Sequence, residues 1–241
     1  MRFSYTAIWE DAVRLARAHG SLIVALAGVF LFLPALLVGH FLPRPEPAGA
    51  DQFIPLMVEY GRANWHWIVL ESLFNMAGTL AILFLVFGRS GTSVGGAIAA
   101  GFALLPSYFL AAVLANFAIG IGFAFLIVPG LYLVGRLAPL AALVVAEGVR
   151  NPLAALGRTV ALTRGHGWAI AGLVLLIAVA GSILLLVLAS LAGILVTILL
   201  PDNAARLVML ILTTASGAAL SALLILVYAA VYRRLAAREP G

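Results

Sequence analysis

Most charged residues lie in the gaps between long apolar runs, and this distribution constrains the fold more than any other feature of the sequence. Only 10% of the 241 residues are charged, 64% are hydrophobic, and the mean hydropathy is +1.17. A soluble globular domain carries about 25% charged residues. The chain is therefore predicted to be an integral membrane protein.

Six apolar runs have about the length that a helix needs to cross a bilayer, roughly 20 residues. The runs are continuous, and a spanning backbone must pair its polar groups internally, so we predict helices. The fifth run is uncharged from Gly167 to Leu200, which predicts either a tilted helix or a break near Gly193. The predicted spans are Ser21–Leu42, His66–Phe87, Leu105–Ile127, Leu131–Ala146, Gly167–Leu191 and Ala204–Tyr232.

The arginines predict the orientation, because basic residues collect in cytoplasmic segments. With the N-terminus inside, the outer loops hold only Arg44, Arg62 and Arg206, whereas ten arginines lie in inner segments. We expect a multi-pass protein of a bacterial inner membrane with both termini cytoplasmic. The outward loop Pro43–Trp65 is predicted to contain a short helix over Phe53–Ala63. The ten inner arginines are Arg2, Arg14, Arg17, Arg89, Arg150, Arg158, Arg164, Arg233, Arg234 and Arg238.

Three inner segments are predicted to be amphipathic surface helices: Thr6–Ala18, Thr92–Gly101 and Asn151–Arg164, each opening on an N-cap residue. The fold class predicted is thus an all-α integral membrane protein with about six transmembrane helices and three cytoplasmic-side surface helices. The predicted apolar faces consist of Trp9, Ala12, Val13 and Ala16 in the first segment and Leu153, Leu156 and Val160 in the third. Candidate contacts for lipid head groups are Arg14, Arg17, Arg150, Arg158 and Arg164.

A short internal repeat lies at the ends of two of the predicted surface helices. Residues 15–20, LARAHG, align with residues 162–167, LTRGHG, at the same junction between surface helix and span. We therefore predict a single membrane domain over residues 1–241. It would contain three units, each a surface helix followed by a two-span hairpin, at roughly 4–88, 92–147 and 150–236.

Glu71 and Arg136 are the main intramembrane polar candidates, because an ionisable residue within a span is costly and usually functional. One interpretation is an ion pair between them that fixes helix packing; the other is a role in transport or proton relay. Asn75, one turn beyond Glu71, and Asn116 are predicted to form hydrogen bonds between helices. Pro129-Gly130 is predicted to form a tight outer turn, with a re-entrant kink as the alternative.

Catalytic and metal-binding patterns are missing from the sequence. The chain has no cysteine, its four histidines lack the spacing of metal ligands, and no nucleotide-binding or hydrolase motif is present. We therefore predict no cofactor, no metal site and no catalytic residue.

One stretch carries a family resemblance. It runs from Ile127-Val128-Pro129-Gly130-Leu131-Tyr132 through Arg136, Pro139 and Glu147-Gly148 to Asn151-Pro152-Leu153 and Leu162-Thr163-Arg164-Gly165. Over Ile127–Trp168 the chain resembles the glycerophosphoryl diester phosphodiesterase membrane-domain family. The resemblance implies the membrane module alone, because the chain is too short for the catalytic barrel that some members carry and lacks its His-Arg-Gly type start and metal-binding carboxylates.

Three functional hypotheses remain open. The first is a non-enzymatic inner-membrane protein that contacts lipid or supports a partner in envelope lipid homeostasis. The second is a small transporter or channel that uses Glu71, Asn75, Asn116 and Arg136, which a continuous polar cavity among spans two to four would favour. The third is an intramembrane lipid enzyme. The partners expected are membrane lipids, anionic phospholipid in particular, and not nucleic acid; a protein partner or homo-oligomer is left open.

Overall fold

A computed structural model describes residues 4–43, 45, 49–88 and 93–237. Throughout this part of the chain the secondary structure is helical, without strands, and six segments are long and apolar enough to cross a membrane. The predicted fold class is confirmed, and the chain is a polytopic membrane protein by helix length and hydropathy. Arg2, Arg44, Arg89 and Arg238, used to predict the orientation, and the predicted N-cap Thr92 lie outside the described residues.

Helix α1, Tyr5–Ala27, contains both the first surface helix and the start of the first span. The two parts meet at His19, whose φ of −128° and ψ of 17° are not helical. The N-cap is Ser4, whose Oγ accepts a hydrogen bond from the amide of Ala7 at 3.3 Å, so the prediction of Thr6 was wrong. Thr6 lies one residue inside the helix, where its amide is already among the donors that a cap serves.

The first span continues through a π-helical turn, Gly28–Phe32, into α2, Leu33–Phe41. Pro34 lies in the first turn of α2. It has no amide hydrogen to donate, and a wider turn before it relieves the clash of its ring with the preceding carbonyls. The first span is therefore bent at this turn but remains helical and continuous.

Helix α3, Ala50–Phe87, is interrupted at Asn64, where φ is −116° and ψ is 16°. The Nδ2 of Asn64 donates to the carbonyl of Tyr60 at 3.0 Å, four residues back. The break separates a first helical segment, called the outer-loop helix after its predicted location, from the second span. It confirms the predicted short helix over 53–63.

Helix α4, Val94–Phe125, begins at the N-cap Ser93 and continues without a break. The predicted second surface helix is thus the first part of α4 rather than a separate element. A Cβ on Gly101 of α4 would lie 3.3 Å from the backbone nitrogen of Ala81 on α3. This close approach lets α3 and α4 pack through their backbones at this point.

The chain reverses at Leu126, which is extended at φ −164° and ψ 154°, and α5 follows at once as Ile127–Leu137. The predicted turn at Pro129-Gly130 was therefore wrong by three residues, because both lie in the first turn of α5, where proline is tolerated. Gly130 instead allows a close crossing: a Cβ on Gly122 of α4 would lie 2.9 Å from the Cα of Gly130.

The fourth span bends at Pro139, the N-cap of α6, Leu140–Glu147. Helix α6 lies at the centre of the bundle and packs against α3, α4, α7 (Pro152–Leu162) and α9 (Asp202–Ala236). Its residues 140–145 are all buried. The predicted N-cap of α7, Asn151, is confirmed, since its Oδ1 accepts from the amides of Leu153 and Ala154.

Helix α8, Gly167–Leu199, is unbroken over 33 residues, or about 50 Å. The alternative of a break near Gly193 was thus wrong. A Cβ on Gly135 of α5 would lie 2.6 Å from the backbone nitrogen of Ala171, so α5 and α8 touch through their backbones. Much of α8 beyond this crossing is exposed on the outside of the bundle.

Helix α1 closes the bundle by packing along α9. Asp11 forms ion pairs with Arg14 at 2.8 Å and with Arg234 of α9. Residues near the two ends of the described chain are therefore in contact, so both ends lie at one end of the bundle, called the terminus end below. Helix α9 begins at the opposite end.

The two surface helices bury equivalent positions. Ile8, Ala12 and Leu15 are buried in the first helix, and Ala155, Thr159 and Leu162, each 147 residues later, are buried in α7. His166 lies at the second junction with a φ of −119° and a ψ of 2°, values similar to those of His19 at the first junction. The predicted apolar faces were partly wrong, because Trp9, Leu153 and Val160 are exposed. The buried face of each helix instead combines large apolar residues with a small residue such as Ala12 or Ala155.

Candidate intramembrane binding site

Arg136 does not pair with Glu71, so the predicted ion pair was wrong. In the last turn of α5, its Nε donates to Oγ1 of Thr163 at 3.0 Å, and one Nη donates to the hydroxyl of Tyr132 at 2.6 Å. The other Nη donates to the carbonyl of Val160. Arg136 thus joins the end of α7 to α5, beside Gly167 at the start of α8.

Thr163 completes this junction. Its side chain is buried, and its hydroxyl lies 3.0 Å from the carbonyl of Arg136 and 2.8 Å from that of Thr159. The guanidinium of Arg136 also stacks on the Tyr132 ring, with its Cζ 5.5 Å from the centroid. Every nitrogen of the guanidinium therefore has a protein acceptor, which fits a structural role.

Glu71 is different. Within the described residues its side chain forms no hydrogen bond and no ion pair. It is partly exposed to a cavity of about 980 Å³ between α2, α3 and α9, called the head cavity. Asn75, one turn further along α3, also faces this cavity, as predicted from the spacing of the two residues.

The head cavity has a mixed lining of polar and apolar residues and reaches toward the end of the bundle opposite the termini. Arg206 is its one arginine and Glu71 its one acidic residue among the lining residues described. Tyr60 of the outer-loop helix also lines the cavity. Its hydroxyl donates a hydrogen bond of 2.9 Å to the carbonyl of Leu42, which holds the ring in this position. The other polar lining residues are His40, Asn75, Asn203, Thr213, Thr214 and Ser221.

An apolar groove of about 560 Å³ lies between α2 and α3 and is called the α2–α3 groove. It adjoins the head cavity, because Val38, Leu42 and Glu71 line both. The remaining lining residues are all apolar or aromatic: Val29, Leu33, Pro34, Leu37, Phe41, Trp67, Leu70 and Phe74. Among the described residues, Glu71 is thus the single charged side chain that lines both the mixed head cavity and the apolar groove.

A third space of about 330 Å³ lies among α3, α4, α5, α6 and α9 and is called the central cavity. Asn75 and Ser221 line it together with the head cavity, so the two spaces adjoin. Its remaining polar residues are uncharged: Thr79, Tyr108, Asn116 and Tyr228.

The predicted hydrogen bonds between helices were wrong for both amides. Asn116 donates from Nδ2 to the carbonyl of Ala112 on its own helix at 2.9 Å. Asn75 makes no side-chain hydrogen bond within the described chain. Both amides line cavities instead, which leaves their polar atoms accessible to a ligand or to water.

The five arginines predicted to contact head groups lie on or next to the two surface helices. Arg158 is bound to Glu147 at 3.2 Å, and Glu147 also accepts a hydrogen bond from the hydroxyl of Tyr232. Arg14 is paired with Asp11. Arg17, Arg150 and Arg164 are exposed.

Sequence reasoning missed the α9 wall of the head cavity. Arg206, Leu210, Thr213, Gly217 and Ser221 follow one another at intervals of three or four residues, which places them on one face of a helix. That stripe of polar and small residues was a readable signal. Arg206 had been assigned only to an outer loop.

Comparisons with known proteins return no match: no family model, curated protein or solved structure is significantly similar to the chain. Among the described residues, no group of three or more His, Cys, Asp or Glu side chains is placed to hold a metal ion.

Proposed function

We propose that this protein binds a membrane lipid, with the polar head group in the head cavity and an acyl chain in the α2–α3 groove. The observation that carries the proposal is the position of Glu71, which lines both spaces. A ligand that fills both must be amphipathic. Binding sites for small molecules combine apolar walls with a few placed polar groups, and this pair of spaces has that composition.

The length and direction of the groove support this proposal. It extends along α2 from Leu33 to Phe41 and along α3 from Trp67 to Phe74. Its axis therefore follows the helices, as an acyl chain does in a bilayer. The head cavity extends toward the membrane surface opposite the termini, so a lipid of that leaflet would enter with its normal orientation.

The wider role follows from the same proposal. We propose a non-enzymatic protein of the bacterial inner membrane, with the terminus end cytoplasmic, that handles or senses lipid in envelope homeostasis. Its exposed arginines, Arg17, Arg150 and Arg164, would contact anionic lipid at that face. Membership of the glycerophosphoryl diester phosphodiesterase membrane-domain group remains a hypothesis based on residues 127–168.

A substitution that fills the groove tests lipid binding. Leu37 is 47% exposed and lines the groove, whereas Leu184 is 58% exposed on α8 and lines none of the cavities described above. Native mass spectrometry of protein purified in mild detergent would count retained phospholipids. We expect Leu37→Trp to lose the retained lipid and Leu184→Trp to keep it. Equal lipid retention by both variants and the wild type would contradict the proposal.

A second candidate function is passage of a small polar solute, favoured by the junction of the head cavity with the central cavity at Asn75 and Ser221. The central cavity lies where the transport hypothesis expects a polar cavity, and Asn75 and Asn116 line it, whereas Arg136 does not. Reconstituted vesicles would be tested for solute release. Release that Ser221→Phe blocks would support transport; sealed vesicles with a lipid-bound protein would favour lipid binding alone.

A further inference from the structure

We infer that the head cavity selects phospholipids whose head group carries a primary amine. This inference rests on the proposed lipid binding and names the class of head group. It differs from the expectation based on the surface arginines, which favours anionic lipid at the opposite membrane face.

The first step concerns charge. A ligand whose acyl chain lies in the α2–α3 groove reaches the head cavity past Glu71, the one charged side chain that both spaces share. A carboxylate in a low-dielectric site is stabilised by a cation and destabilised by an anion. An anionic head group without an amine would meet repulsion there, whereas an ammonium group would be attracted.

The second step concerns hydrogen bonding. The carboxylate of Glu71 and the amide of Asn75 lie one turn apart on α3, and neither side chain has a hydrogen-bond partner within the described residues. An ammonium group carries three donors and no acceptor, so it can bind the carboxylate and the amide oxygen together. A quaternary trimethylammonium group has the charge but no donor, so it would bind less well.

A metal ion does not fit the same position. Calcium takes six to eight oxygen ligands and magnesium requires an octahedral set. The head cavity offers one carboxylate, and no acidic cluster accompanies it in the described part of the chain. A single ammonium needs only the two acceptors that Glu71 and Asn75 provide.

Arg206 complements the amine site near the mouth of the cavity. It lies in the second turn of α9, toward the end of the bundle opposite the termini, and is exposed without an ion pair in the described chain. Its guanidinium attracts phosphate to the opening. A head group that carries both a phosphate and a terminal amine therefore matches the signs of charge in this cavity.

The experiment compares three lipids and two variants. Wild-type protein is equilibrated in mixed micelles with equal amounts of phosphatidylethanolamine, phosphatidylcholine and phosphatidylglycerol, and the retained lipid is identified by native mass spectrometry. We expect about tenfold preference for phosphatidylethanolamine over phosphatidylglycerol, since a hydrogen bond to a charged group contributes about 1.5 kcal/mol or more. Preference over phosphatidylcholine should be smaller.

The variants identify the residue responsible. Glu71→Gln should retain lipid through the groove but bring the preference for phosphatidylethanolamine close to one. Glu59→Gln is the matched control, because Glu59 is exposed on the outer-loop helix and lines none of the cavities described above. It should leave the preference unchanged.

Two different results would overturn two different claims. If wild type retains phosphatidylglycerol as well as phosphatidylethanolamine, or if Glu71→Gln keeps the preference, the amine inference fails while lipid binding stands. If wild type retains no lipid, or if Leu37→Trp retains as much as wild type, the proposed function itself fails.

Discussion

Glu71 and Arg136 look alike in the sequence, since each is an isolated charge in an apolar run, yet the structure places them in opposite situations. Arg136 is joined to Tyr132, Val160 and Thr163. Glu71 has no protein partner in the described chain and faces two adjoining spaces. The comparison teaches that an intramembrane charge indicates function when its bonding capacity is unused, and structure when that capacity is filled.

The strongest test of this contrast removes the guanidinium. Arg136→Ala deletes three hydrogen bonds and leaves the hydroxyl of Tyr132 and the carbonyl of Val160 without this donor. We expect a loss of about 3 kcal/mol in the free energy of unfolding, because bonds to a charged group in the low-dielectric interior are strong. Thermal unfolding in detergent would measure it. Wild-type stability would mean that the junction is not structural.

A smaller change removes one bond. Tyr132→Phe keeps the ring over which the guanidinium lies but deletes the acceptor of the 2.6 Å hydrogen bond. We expect about 1 kcal/mol of destabilisation, near the net contribution of a single protein hydrogen bond. The same unfolding assay applies. A loss as large as that of Arg136→Ala would show that Tyr132 has a further role in packing.

The smallest expected effect is at Glu71. Glu71→Gln removes a charge that no residue in the described chain satisfies, so the free energy of unfolding should change by less than about 0.5 kcal/mol. Lipid selectivity should change instead. A loss of stability comparable to that of Arg136→Ala would reverse the comparison and assign Glu71 to the framework.

The helices were predictable because each is a long apolar run, and so was the outer-loop helix, which ends at Asn64. The bonding of Arg136 was not, because two of its partners, Val160 and Thr163, lie 24 and 27 residues away at the end of α7. The chain reversal at Leu126 was not predictable either, because Pro129-Gly130 suits both a tight turn between helices and the first turn of a helix.

The buried faces of the surface helices show a second limit on what the sequence can predict. In α7 the sequence singles out Leu153 and Val160 as apolar, yet these are exposed, while Ala155 and Thr159 are buried. Where lipid is as apolar as the protein core, a large apolar side chain can face either one, as Leu153 and Leu162 do, and small side chains allow close packing. Hydrophobicity therefore does not identify the inner face. The cavities were missed because their linings come from helices far apart in sequence.

The central position of α6 has a consequence for biosynthesis. The fourth span is the least apolar of the six and half buried, and α9, which leaves the ribosome after it, supplies part of its surroundings. Until α9 is made, α6 meets hydrocarbon or translocon where it will later meet protein. In nascent chains that stop short of Asp202, the fourth span would therefore lack part of its packing. Membrane proteases would cleave such chains there before cleaving the other spans.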